Sequence, residues 1–140
     1  MPTSAETFAV DTSVAVAALD GSHAAHAICR RRVMETGAAL AGHAAFETYS
    51  VLTRMPGELH LDAPVAAKLL DDAFPDRCWP DADATDALLR RCGTVGIAGG
   101  AVYDALVGQA ALSHGRTLLT RDRRAQRTYD ILGVRYELVD

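Results

Sequence analysis

Thr117-Leu118-Leu119-Thr120-Arg121-Asp122 decides the fold. Two leucines between threonines make the clearest strand of the chain, and the run ends on polar residues. Upstream, Gly99-Gly100 precedes a helix predicted from about Ala101 to Ser113, closed by Gly115. Downstream, a helix is predicted from Arg123 to Leu132, closed by Gly133, with a strand over Val134 to Val139. The same alternation runs back to the N-terminus. Phe8-Ala9-Val10 reads as a strand ending at Asp11, followed by a short helix from Val14 to Leu19 that Thr12 or Ser13 can cap. Ser22 is placed to cap a second helix reaching about Glu35, ended by Gly37. Ala38 to Ala41 is the next strand, and a helix from about His43 to Arg54 stops at Pro56-Gly57. Pro64 opens a helix through about Phe74, Arg77-Cys78-Trp79 is a short strand, and Asp81 or Asp83 caps a helix to about Arg91. Strands alternating with helices predict an α/β fold: a central, mostly parallel sheet of four to five strands with helices on both sides.

The chain has 140 residues, which suits one domain over 1–140, with residues 1–7 read as a flexible N-terminal tail. Apolar residues make up 49% and charged residues 23%, which excludes disorder and collagen. No apolar run approaches the roughly 18 residues of a membrane span. Met1 to Thr7 has neither the basic start nor the apolar stretch of a secretory signal, so a cytoplasmic location is expected. Fourteen basic residues stand against eighteen acidic ones, for a net charge of -4. Bulk attraction to nucleic acid is therefore excluded, and a nucleic-acid substrate would need a local basic patch or bound cations. Lys68 is the only lysine, and the other basic residues are arginines. Cys29, Cys78 and Cys92 form no C-x-x-C, and the five histidines form no H-x-x-x-H pair. A zinc site is not expected, and the thiols read as reduced core residues.

Four acids stand out by position. Asp11 follows the first strand, and Asp122 follows Thr117–Thr120 by one residue. Both belong to the edge where the strand C-termini lie, which is where open α/β sheets bind ligands. Asp104 falls on a helix stripe of Ala101, Ala105, Gly108, Ala111 and Leu112, and Glu47 on one of Ala44, Val51 and Leu52. A carboxylate on such a small apolar face is out of place unless it meets a polar pocket. Each acid has a plainer alternative: Asp11 or Asp122 as a helix cap, Glu47 as an exposed helix acid, Asp104 in an arginine ion pair. Taken jointly, four carboxylates aimed at one region repel, and a divalent cation is the simplest compensation. An all-oxygen set favours Mg²⁺ or Mn²⁺ over zinc.

The motifs Val10-Asp11-Thr12-Ser13, Phe46-Glu47, Gly99-Gly100-Ala101-Val102-Tyr103-Asp104-Ala105-Leu106 and Leu118-Leu119-Thr120-Arg121-Asp122-Arg123-Arg124 resemble those of the PIN-domain family. Within it they are similar to the VapC-type toxins of toxin–antitoxin pairs, over nearly the whole chain. The resemblance implies a three-layer α/β/α sandwich and a metal-dependent endoribonuclease. It carries the family's four acids onto Asp11, Glu47, Asp104 and Asp122. Asp11, Asp104 and Asp122 would be the nearer ligands of Mg²⁺ or Mn²⁺, with Glu47 a ligand or a water-holding partner. Ser13 and Thr120 occupy supporting polar positions. Arg121, Arg123, Arg124 and Arg127 are candidate contacts to RNA phosphates, or else a solvated helix start. The resemblance further implies a VapB-type antitoxin that covers the site, and a homodimer. Two other readings stay open. One is a receiver-like Mg-binding domain, although Lys68 sits mid-chain rather than after a late strand. The other is a non-catalytic RNA- or protein-binding module on the same fold.

Overall fold

The computed structural model describes residues 5–140. Five strands form one parallel sheet: β1 (Phe8–Val10), β2 (Ala39–Ala41), β3 (Arg77–Cys78), β4 (Thr117–Thr120) and β5 (Tyr136–Leu138). Their order across the sheet is β3-β2-β1-β4-β5. The chain steps outward from β1 to β3, then crosses back to lay β4 on the other side of β1. The switch point therefore lies between β1 and β4. The register pairs Val10 with both Leu40 and Leu119, so the two central strands end level with each other. Ala9, Val10, Leu40, Leu118 and Leu119 are fully buried, as befits a parallel sheet covered on both faces.

Seven α-helices connect the strands: α1 (Thr12–Leu19), α2 (His26–Thr36), α3 (Ala44–Arg54), α4 (Ala63–Ala73), α5 (Ala82–Val95), α6 (Ala101–Ser113) and α7 (Gln126–Leu132). Helices α1 to α4 pack among themselves, as do α5 to α7. Right-handed crossovers put these two groups on opposite faces. The result is the expected three-layer α/β/α sandwich with five strands. Alanines at 9, 39, 41, 44, 105, 110 and 111 let helix and sheet approach closely. Cys29, Cys78 and Cys92 are all buried and free, as the spacing predicted.

Several boundaries differ from the sequence expectation, each for a local reason. Asp11 itself caps α1, through Oδ1 accepting from Val14 N, and neither Thr12 nor Ser13 does so. Ser22 does not cap α2, because its amide and hydroxyl both donate to Asp20 Oδ1. That turn delays the helix to His26. Arg123 to Ala125 form a turn whose amides at 124 and 125 bond to Asp122, so α7 begins at Gln126. Asp81 caps α5, which runs on to Val95. Residues 1–4 of the expected tail lie outside the described residues. Glu6 and Thr7 are anchored, through Thr117 Oγ1 donating to Glu6 and Thr117 N donating to Thr7 O.

Candidate active site

The β1/β4 switch point opens into a pocket of about 230 Å³, lined by Asp11, Glu47, Asp104 and Asp122 together with Ser13 and Tyr129. All four acids singled out in the sequence are thus brought to one place. Asp11 comes off the end of β1, and Asp122 from the turn after β4. Glu47 and Asp104 stand in the first turns of α3 and α6. A helix N-terminus carries partial positive charge, which makes the first turn a tolerable place for a half-buried carboxylate.

Asp11 is the fixed member. It is 4% exposed, and its carboxylate accepts from four donors. Oδ1 takes Ser13 Oγ at 2.6 Å and Val14 N at 3.3 Å. Oδ2 takes the Thr120 hydroxyl and Tyr129 OH, the latter at 3.1 Å. Burial pushes the Asp11 carboxyl up, and these donors pull it back toward the charged form. Ser13 and Thr120 have further partners that tie the β1 and β4 ends together. Ser13 Oγ accepts from Arg121 N at 2.8 Å, and Thr120 Oγ1 accepts from Asp122 N at 3.0 Å.

Asp104 is the opposite case. Among the described residues it has no hydrogen-bond or ion-pair partner. Burial, and then the charges of Asp122, Glu47 and Asp11, push its carboxyl up to about 6. Glu47 accepts a single bond, from Thr12 Oγ1 at 3.1 Å. Asp122 Oδ1 accepts from Arg124 N at 3.0 Å, with Arg124 Nε at 3.5 Å. The Arg124 side chain is 92% exposed, so it screens weakly. Arg124 at Asp122 aside, no cationic side chain lines the pocket.

Tyr129 was not legible as a site residue. It lies on the buried stripe of α7, where a tyrosine reads as core. The one available signal was its hydroxyl, because a buried tyrosine needs a polar partner. Burial and the neighbouring Asp11 and Asp104 charges raise its phenol well above the usual range, so it remains a donor.

None of the four candidate arginines lines the pocket, and of them Arg124 alone reaches one of its acids. Arg121 Nη1 donates to Val139 O at 2.8 Å, and Arg123 pairs with Asp140 at 3.2 Å. Arg124 reaches Asp122, and Arg127 is exposed with no partner among the described residues.

The acids share the pocket without being drawn into ligand spacing. Among the described residues, no group of three or more His, Cys, Asp or Glu side chains is set to hold one metal ion. Like charges stand apart, and Asp11 is turned to its hydroxyl donors. The donor set nevertheless fits a hard cation: every donor is a carboxylate oxygen, and among the described residues Asp104 has no ion-pair partner, with only the exposed Arg124 offsetting its charge.

An open parallel sheet with carboxylates gathered at its switch point defines an α/β protein whose candidate ligand site is that acid pocket. The PIN domain family matches residues 8–131, and the chain belongs to that family. It is 48% identical over 126 residues to Ribonuclease VapC27 of Mycobacterium tuberculosis (strain ATCC 25618 / H37Rv), covering 90% of this chain and 92% of that one. It is 45% identical over 133 residues to Ribonuclease VapC40 of M. tuberculosis (strain CDC 1551 / Oshkosh), covering 94% and 98%. Two solved structures share the fold. VapBC2 from Rickettsia felis, bound to a DNA fragment from their promoter, matches with a TM-score of 0.65 at 15% identity, over 96% of this chain and 99% of that one. FitAcB from Neisseria gonorrhoeae matches with a TM-score of 0.65 at 14% identity, over 93% and 96%.

Proposed function

We propose that this chain is a metal-dependent endoribonuclease and the toxin of a toxin–antitoxin pair. The observation that carries the reading is the clustering of Asp11, Glu47, Asp104 and Asp122 in one pocket, with Asp104 lacking any hydrogen-bond or ion-pair partner among the described residues. The family membership and the relatives named as ribonucleases support it.

Asp11, Asp104 and Asp122 would hold Mg²⁺ or Mn²⁺, with Glu47 as a further ligand or as the holder of the attacking water. The cation would activate water and offset charge developing on the phosphodiester. The chain's own residues do the positioning. Ser13, Thr120 and Tyr129 fix the Asp11 carboxylate, so it is in place before substrate arrives. Glu47 keeps one oxygen free of hydrogen bonds, which can accept from a water at the pocket mouth. Arg124 and Arg127, both exposed, would meet phosphates that flank the cleaved bond, while Arg121 and Arg123 would first have to leave their present partners. Against a receiver-like reading, Lys68 is exposed and paired with Asp72 at 2.8 Å, away from the pocket. The further proposals are a VapB-type antitoxin, a homodimer, one domain over 1–140 and action in the cytoplasm. No helix of the described residues is long and apolar enough to cross a membrane.

The test is overexpression followed by mapping of new RNA ends, with and without Asp11→Ala. New 5′ ends that need an intact Asp11, and that purified protein reproduces with Mg²⁺ or Mn²⁺ but not with chelator, are expected. Equal cleavage by the variant would reject the assignment.

A further inference from the structure

Beside the acid pocket runs a strip of four aromatic rings. Phe46 immediately precedes Glu47, and Tyr103 immediately precedes Asp104, so the first turns of α3 and α6 each carry a ring next to an acid. Tyr103 stacks on His43, with centroids 5.1 Å apart and planes 16° from parallel. His43, Phe46 and Trp79 line one recess of about 180 Å³. Phe46 meets Trp79 edge-on, at 6.0 Å and 64°. The rings touch one another and still face outward: Phe46 is 63%, Tyr103 51% and Trp79 45% exposed.

The strip is held from below. Gly42 has φ 44°, and a Cβ there would come within 3.2 Å of Ala110 Cβ, 3.3 Å of Cys78 O and 3.5 Å of Trp79 Cε3. The backbone thus passes close beneath the indole, and a side chain there would be crowded by Ala110 and the Cys78 carbonyl and strained at this φ. The carbonyl of Trp79 lies 2.9 Å from His114 Nε2.

We propose that this strip is a base-stacking platform for single-stranded RNA, taking nucleobases that neighbour the phosphate over the acid pocket. The proposal rests on the ribonuclease reading above and names how its substrate is held. Two observations favour a nucleic acid over a protein partner. Two of the rings, Phe46 and Tyr103, adjoin acids in sequence, and Phe46 with Leu106 lines the ring recess while the next residues, Glu47 and Val107, line the acid pocket, so a chain lying over the acids can extend onto the rings. The chain is also net negative, no arginine lines the acid pocket, and Arg121 and Arg123 are engaged by the C-terminal residues, so phosphate attraction alone is a weak hold. Stacking supplies affinity that does not depend on charge and tolerates any base.

Trp79 is the only tryptophan, so its emission reports directly on the strip. With chelator present to prevent cleavage, a single-stranded RNA oligonucleotide is expected to quench Trp79. An abasic oligonucleotide of equal length, or an RNA duplex, should quench far less. In cleavage assays, Phe46→Leu and Tyr103→Leu keep apolar bulk but remove the ring face, and each is expected to raise KM about tenfold. Tyr103→Phe should restore it. Equal quenching by the abasic strand, or an unchanged KM in both leucine variants, overturns the proposal. So does a blue shift of Trp79 emission that grows with protein concentration without RNA, which would make the strip an interface between copies. Failure of the nuclease reading looks different: no RNA is cleaved, or Asp11→Ala cleaves as well as the parent, while base-dependent quenching persists.

Discussion

At Asp104, burial and three neighbouring carboxylates act in one direction, and only the charge of Arg124, whose side chain is 92% exposed, acts against them. The unfolded chain releases this proton near the ordinary value of 3.8, the folded chain only near 6. The folded state therefore binds the extra proton between those values. Stability of the metal-free protein falls as pH rises through that window and stays lowered above it. The full displacement corresponds to about 3 kcal/mol, which solvent screening at a half-buried group reduces to about 1–2 kcal/mol. Asp104→Asn should thus raise the melting temperature in chelator at pH 7.5 by about 5 °C, with the gain vanishing near pH 4. A lower melting temperature at pH 7.5 would show that the carboxylate stabilises the fold. Tyr129→Phe is the complementary case. It removes one of four donors to Asp11 from a fully buried ring, with an expected cost of about 1–2 kcal/mol in urea midpoints. The Mn²⁺ concentration for half-maximal cleavage should rise about tenfold. The four acids were legible because each broke a local rule, a charge on an apolar stripe or at a strand end. Tyr129 broke none: an aromatic on an apolar stripe obeys the pattern, and only its contact with a residue 118 positions away reveals its role.

Helix α6 shows how closely the elements must approach for the pocket to form. A Cβ at Gly108 would sit 3.1 Å from Val134 Cγ2 and 3.2 Å from Tyr129 Cδ1. Gly108→Ala gains about 1 kcal/mol of helix propensity. Both neighbours are buried and cannot easily give, and overpacking of this kind costs about 1–3 kcal/mol. The overlap should win, giving a net loss of about 1 kcal/mol by urea denaturation and a displaced Tyr129. A variant more stable than the parent would mean that α7 yields freely. Strand β4 and helix α6 were read from the sequence with their observed bounds, because strong apolar patterns and glycines mark them. The starts of α2 and α7 were not, because each is delayed by an aspartate that captures nearby amides in a turn. A side chain's choice between helix cap and turn is a three-dimensional competition that spacing does not record.

Across the whole molecule, a fold with a deep parallel sheet does not need the cation to stand. Chelation should stop cleavage and leave far-ultraviolet circular dichroism unchanged. Added Mg²⁺ or Mn²⁺ should raise the melting temperature, by about 2.7 kcal/mol of stability at a hundredfold excess over Kd. Asp104→Asn should lose most of that gain, and an equal gain in both proteins would place the ion elsewhere. The three-layer architecture was legible because the alternation of strands and helices constrains topology strongly. The strand order was not, since spacing alone does not say on which side of β1 the chain returns. That return has a consequence for biogenesis. The central strand ends in Asp11 but finds its second neighbour only at Thr117–Thr120, and the last acid follows at Asp122. A nascent chain emerging from the ribosome therefore carries three of the four acids, yet cannot complete the acid pocket until synthesis is nearly over. An incomplete translation product, or a fragment cut before β4, is therefore expected to leave the RNA around it uncut.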